Sequence, residues 1–162
     1  MAFDGTTIAA VRKELSDSIL GGRIYKIAQP EPDELLITIK TPEGQRKLYI
    51  SASASLPLIY LTDANKPSPM TAPNFCMLLR KHIANGRIVD IWQPKLERII
   101  HFTIEHLDEL GDLPHGDAVV VVAEAGVDIT EILGVLLQQL GCLEQHGAQS
   151  FSIQNHASFL LV

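Results

Sequence analysis

The chain has 162 residues, 46% of them hydrophobic and 20% charged, which is enough apolar content for one buried core and too much for global disorder. A formal net charge of −6 argues against a general polyanion binder. No apolar run approaches the roughly 20 residues of a membrane span, and the opening MAFDGTTIAAVRKEL lacks the basic-then-apolar order of a secretory signal.

From the N-terminus, a helix is expected from about Thr6 to Leu20. Ile8, Val11, Leu15 and Ile19 fall on one face at helical spacing, with Arg12, Lys13, Ser16 and Asp17 away from it. Asp4, Thr6 and Thr7 are candidate caps, and Gly21-Gly22 stops the helix. Strands are expected in RIYKIAQ, in ELLITIKT and QRKLYIS as a hairpin with a longer turn at PEG, and in PLIYLTD. PEPDE reads as a loop, and ANKPSPMTAP, with three prolines, as irregular.

A second helix is expected in PNFCMLLRKHIANG. Pro73 suits its first turn, Gly86 the position after its C-cap, and Phe75, Leu78, Leu79 and Ile83 its buried stripe. GRIVDIWQ and LERIIHFTIEH read as antiparallel strands joined at QPK. AVVVVAE is then a strand, EILGVLLQQLGCLEQH a helix capped by Asp128 or Thr130, and SFSIQNHASFLLV one or two short strands. The expected class is α+β, strand-rich, with about three helices.

Charge divides the chain. All 13 Lys and Arg and 14 of the 19 acids lie in residues 1–113, a balance of −1, while residues 114–162 carry five acids and no Lys or Arg, a balance of −5. The turn-rich Pro114-His115-Gly116-Asp117 is the expected boundary between a core of 1–113 and a divergent acidic segment of 114–162 that completes or caps it. Cys76 and Cys142 form no metal or redox spacing and are expected in the core, in a reduced intracellular setting. The six His show no ligand spacing, so no metal is expected, and there is no phosphate loop or nucleophile elbow.

Three groups of residues carry a choice between a bland role and a site. Asp4 either caps the first helix or faces a ligand. Arg80, Lys81 and Arg87, with His82, either form a solvated helix end or contact phosphates. On a strand, Arg98 shares a face with Ile100, Phe102 and Ile104 at the edge of the core, where it must snorkel to water or meet an acid. Glu97 shares the mixed face with Ile99, His101, Thr103 and Glu105 and needs no partner.

MAFDG, GGRIYKIAQPEPDELLITI, FCMLLRKHIANGRI, LERII and IEHLDELGDL occur in this order over about residues 1–113. Together they resemble the N-terminal NFACT-N domain of the family known in bacteria as fibronectin-binding protein A, with eukaryotic relatives in ribosome quality control. The resemblance implies a β-sandwich-like, strand-rich domain with flanking helices, similar to the N-terminal domain of formamidopyrimidine-DNA glycosylases but without glycosylase chemistry or any cofactor. It implies a cytoplasmic, non-enzymatic adaptor. Its partners would be the large ribosomal subunit with stalled peptidyl-tRNA, and tRNA, alanyl-tRNA in bacterial relatives, supporting C-terminal tailing of the nascent chain. The family's older name implies the alternative of a protein-interaction or adhesin module that binds fibronectin.

The family's tRNA-handling Asp in the opening motif matches Asp4. Its adjacent Asp-Arg pair matches Glu97 and Arg98, with an acid one methylene longer. QNHASFLLV resembles a later family segment and places His156 at the family His. The segment before it, without a basic residue, departs from the family pattern. The helix-hairpin-helix region, coiled coil and RNA-binding module of full-length members have no counterpart in these 162 residues.

Overall fold

The computed structural model describes residues 4–53, 55–105 and 115–121, the last of these by backbone alone. The first helix, α1 (Gly5–Ile19), buries Ile8, Leu15 and Ile19, the expected stripe, with Val11 packed at its margin. It ends where Gly21, at φ +77°, enters the left-handed region open to glycine.

Strands β1 (Arg23–Ala28), β2 (Glu34–Thr41), β3 (Gly44–Ser51) and β4 (Leu58–Thr62) form an antiparallel meander. The β2–β3 turn is only Pro42-Glu43, with Thr41 paired to Gly44, tighter than the longer turn expected at PEG. The Thr41 hydroxyl donates to the Gly44 carbonyl at 3.0 Å across it. Residues 63–73 are irregular, as the prolines require. They are pinned by Lys66 on the Glu34 carboxylate, 2.7 Å to Oε1, and by Lys47 donating to the Asp63 carbonyl and Asn65 Oδ1 at 3.0 and 2.7 Å.

Helix α2 (Asn74–Ile83) buries Phe75, Cys76, Leu79 and Ile83. After its C-cap Ala84, Asn85 at φ +66° takes the left-handed position that the sequence reading gave to Gly86. Strands β5 (Arg87–Trp92), β6 (Ile99–Glu105) and β7 (His115–Val121) complete one seven-stranded antiparallel sheet of order β4-β3-β2-β1-β5-β6-β7.

The domain is therefore α+β and strand-rich, as expected, but the described strands form a single sheet rather than two stacked ones. α1 touches β2, β4, β5 and β6, strands from both arms of the sheet, so the sheet curves around it. Ile24, Ile27, Leu35, Ile37, Ile39, Leu48, Ile50 and Ile59 join Ile88, Ile91, Ile100, Phe102 and Ile104 in one core under the two helices. The expected turn at Pro114–Asp117 is corrected over His115–Asp117, which pairs with Glu105, Ile104 and Thr103. Ladder hydrogen bonds to β6 outweigh the local turn preference of those residues. The boundary drawn at 113 is followed at once by the last described strand of the same sheet. The expected helix over EILGVLLQQLGCLEQH, the closing strands, Cys142 and His156 lie outside the described residues.

Candidate functional site

Both ends of α1 are tied to the flanks of β5. At the C-terminal end the Gly21 amide donates to the Ile88 carbonyl at 2.7 Å, and the Ile88 amide donates to Gly22 at 2.9 Å. At the N-terminal end the tie is a side chain. Gln93 Nε2, just past β5, donates to the Gly5 carbonyl at 2.9 Å and to the Glu97 carbonyl at 2.7 Å. One amide therefore joins the first residue of α1 to the β5–β6 loop.

The same junction is closed by contact. Gly5 lies so near Leu96 that a Cβ there would overlap the Leu96 carbonyl oxygen and sit 2.6 Å from its carbon. Only glycine allows this approach. The loop itself turns at Pro94, whose carbonyl accepts from the Glu97 amide at 3.0 Å, with Lys95 at φ +49°.

These ties place Asp4, next to Gly5, beside Glu97 and Arg98, next to Leu96. Asp4 and the adjacent Glu97 and Arg98, about ninety residues further on, therefore flank one corner. Asp4 is the N-cap of α1: its Oδ1 accepts from the Thr7 amide and the Thr6 hydroxyl, both at 2.8 Å. Those hydrogen bonds, the Thr7 amide first, hold its carboxyl down at about 2. The capping role is thus realised, and the carboxylate stays exposed and charged.

The strand reading of Glu97 and Arg98 is corrected. β6 begins at Ile99, so both residues belong to the loop, and both are exposed. Alternation holds from Ile99 onward, with Ile100, Phe102 and Ile104 buried. Arg98 does not edge the core, because the turn and the Gln93 clamp lift the chain off the sheet before the ladder starts. None of the ion pairs among the described residues involves Glu97 or Arg98. On the outer side of the corner the Trp92 ring stacks on His101, centroids 3.9 Å apart and 11° between planes, and Trp92 is 43% exposed.

The candidate phosphate contacts lie elsewhere. Arg80 donates through Nε and Nη2 to the Ile27 carbonyl at 2.9 and 2.8 Å, sharing that oxygen with the Cys76 thiol. The guanidinium braces α2 on β1. Arg87 Nε reaches the Gly21 carbonyl at 3.3 Å, and Lys81 is exposed on the last turn of α2. From the β1/β5 junction at Arg23 and Arg87, Ile27 lies one way and Gln93 the other. Arg80 and the corner are therefore roughly 30 Å apart along the strand direction. Among the described residues no cluster of His, Cys, Asp and Glu suited to a metal occurs, and no helix is long and apolar enough to cross a membrane.

Sequence reasoning assigned no role to Gln93, Gly5 or the Trp92–His101 stack. Gln93 carries no periodic signal, since its partners come from residues 88 positions away and four positions on. Gly5 precedes the helix expected from Thr6, and nothing local marks its approach to Leu96.

The chain is 40% identical over 112 residues to the Rqc2 homolog RqcH of Bacillus subtilis, covering 69% of this chain and 20% of that protein. It is 28% identical over 100 residues to the human ribosome quality control complex subunit NEMF, covering 62% of this chain and 9% of that protein. Among solved structures, the N-terminal part of the fibronectin/fibrinogen-binding protein from Streptococcus suis superposes with a TM-score of 0.73 at 31% identity, covering 75% of this chain and 46% of that one. The match thus spans about a fifth of the length of the bacterial relative. The family described as NFACT N-terminal and middle domains matches residues 4–120, and the chain belongs to that family, whose relatives include ribosome quality control factors.

Proposed function

We propose that this chain is the NFACT-N domain of a cytoplasmic ribosome quality control factor, a non-enzymatic adaptor that contributes to holding tRNA on obstructed large ribosomal subunits during C-terminal tailing. The supporting observation is the corner itself. Asp4, Glu97 and Arg98 come from segments about ninety residues apart, and the fold spends a glycine contact and a bridging glutamine on bringing them together. The corner offers two acids and a guanidinium to solvent. Such groups suit hydrogen bonds to base edges and a bidentate contact to phosphate. Peptide-bond chemistry is left to the ribosome.

The test is retention of tRNA and of 50S particles by wild type and by Glu97→Ala, Arg98→Ala and Asp4→Asn, with thermal unfolding as the fold control. Exposed positions leave the fold intact, and retention is expected to fall. Unchanged retention by the triple variant would sink the assignment. With a net charge of −6, little affinity is available from counterion release, so retention by this chain alone is expected to be weak. Tight binding that survives high salt contradicts the reading.

A second reading, binding to fibronectin, is favoured by the name of the Streptococcus suis neighbour. Direct binding to immobilised fibronectin, with an unrelated acidic protein as control, decides it. The likeness to the N-terminal domain of formamidopyrimidine-DNA glycosylases extends to shape only in this proposal, and incision of damaged DNA by the pure protein would overturn that part.

A further inference from the structure

The outer face of the β1–β4 meander, away from the helices, concentrates residue types that are scarce in the chain. Directly opposed strand residues share a face, and the register sets out the rows. One row runs Gln45, Lys40, Arg23; the next Thr62, Lys47, Thr38, Lys26; the next Tyr60, Tyr49, Leu36, Ala28. Arg87 continues the first row onto β5. Tyr25, the extra residue at the β1 irregularity between Ile24 and Lys26, stands on the same side, because Lys40 Nζ lies 3.5 Å from its ring centroid.

All three tyrosines of the chain therefore lie on this one face. Tyr25 is 55% and Tyr60 43% exposed, and Tyr60 leans on Tyr49 at 5.1 Å between centroids. Arg23, Lys26 and Lys40 are exposed beside them. Two acids border these rows: Glu34 is occupied by Lys66, and Glu105 on β6 is the register partner of Arg87. In a protein of net charge −6, this is a local surface of opposite sign with aromatic rings set into it.

We propose that this face binds single-stranded RNA. Exposed rings offer stacking surfaces to unpaired bases, and flanking Lys and Arg follow the phosphates. Tyr25 on β1 and Tyr60 on β4 are three strands apart, roughly 14 Å across the sheet, so they take separate bases, with Lys26 and Lys40 beside Tyr25. A duplex hides its base faces and cannot use the rings. Choosing RNA over DNA is the one step that rests on the proposed function. The site is on a different face from the Asp4 corner.

The test is fluorescence anisotropy of the 162-residue chain with a labelled single-stranded RNA of about 12 nucleotides. The same RNA annealed to its complement and the DNA of the same sequence complete the set, each titrated between about 50 and 200 mM salt. Single-stranded RNA is expected to bind more tightly than the duplex. Tyr25→Ala and Tyr60→Ala each weaken it about fivefold or more, while Tyr25→Phe and Tyr60→Phe retain it. Lys26→Ala with Lys40→Ala lowers the log–log salt slope by about 1.4, two phosphates at roughly 0.7 each. Glu97→Ala with Arg98→Ala leaves oligonucleotide affinity unchanged even if it removes tRNA retention, so the two readings fail separately. Absence of binding, equal binding of duplex, tighter binding of DNA than RNA, Phe variants as weak as Ala, or an unchanged salt slope each overturn the proposal. The Phe variants and the salt slope decide the matter should an Ala variant fail to fold.

Discussion

Gly5→Ala tests how the corner is held. The new methyl would lie 2.6 Å from the Leu96 carbonyl carbon and overlap its oxygen. Ordinary carbon–carbon contact is about 3.5–4.0 Å, and the methyl overlaps the oxygen more deeply than the carbon, so α1 and the β5–β6 loop must part by more than about 1 Å. Gln93 Nε2 spans this junction at 2.9 Å to Gly5 and 2.7 Å to Glu97, and an opening of that size takes at least one of the two bonds beyond the useful range. Overpacking costs about 1–3 kcal/mol, and a lost hydrogen bond adds about 1 kcal/mol. Against this, alanine gains up to about 1 kcal/mol over glycine in a helix, and less at the first position.

The net expectation is a loss of about 2 kcal/mol, which lowers the thermal midpoint of a domain this size by roughly 5–10 °C. Circular dichroism melting of wild type, Gly5→Ala, Gln93→Ala and the double variant measures it as a cycle. Because Gly5→Ala already disrupts the Gln93 bridge, the second substitution should add little, leaving a coupling of about 1 kcal/mol. An unchanged or raised midpoint for Gly5→Ala, or strict additivity of the pair, would refute the clamp. If the corner is the tRNA site, Gly5→Ala should also weaken tRNA retention without touching any residue assigned to it.

The other expectations concern single groups. Asp4 titrates near 2 in the fold against an ordinary 3.8, so its contribution to stability is present above about pH 4 and lost as pH falls from there toward 2. Asp4→Asn keeps a capping side chain and should flatten that part of the stability–pH curve, and an identical curve in both proteins would contradict the cap. For Glu34, burial pushes the carboxyl up, but hydrogen bonds from Lys66 and Tyr49 outweigh it and hold it below its ordinary 4.5. Its stabilisation is therefore also lost on the acid side, and Lys66→Met should remove it and speed limited proteolysis within residues 63–73. Unaltered cleavage would show that Lys66 does not pin the segment. Arg80→Met deprives the Ile27 carbonyl of two charged hydrogen bonds and should lower unfolding free energy by about 1.5–3 kcal/mol in chemical denaturation. A neutral effect there, with weakened RNA binding, would instead favour a phosphate role.

Periodicity made the elements legible because burial enforces it. The stripe of α1 and the alternation of β6 follow from one face meeting the core, while α2 buries Cys76 in place of the expected Leu78 and β2 buries Leu35, Leu36 and Ile37 in a row. It failed where tertiary contact overrides local preference. Leu96, Glu97 and Arg98 continue the apolar-and-charged pattern of β6, yet the loop leaves the sheet to meet Gly5. His115 to Asp117 look like a turn, yet β6 supplies a ladder for them. The choice of Asp4, Glu97 and Arg98 came from family resemblance, not from spacing. Strand alternation alone puts Arg98 at the edge of the core, whereas it stands in the loop before β6. Gln93, which joins the site, gave no local signal at all.

The outer tyrosine face escaped for a different reason. Strand alternation puts Tyr49 and Tyr60 on the solvent side but Tyr25 on the side of buried Ile27, and only the irregularity between Ile24 and Lys26 turns Tyr25 outward. Register shows that Tyr49 and Tyr60 are opposed, and the side-chain geometry shows Lys40 over the Tyr25 ring. Net charge then misleads, because it averages this face with the acidic residues after 113 that carry no basic side chain. A binding argument drawn from total charge predicts repulsion of RNA. One drawn from the face predicts attraction within about a Debye length, roughly 8–10 Å at physiological salt. At that range the exposed cations Arg23, Lys26 and Lys40 act together on a phosphate, and raising salt screens attraction and repulsion alike. The salt dependence of RNA binding thus separates the two: affinity that falls with salt comes from the face, and affinity that rises with salt shows that the overall negative charge governs.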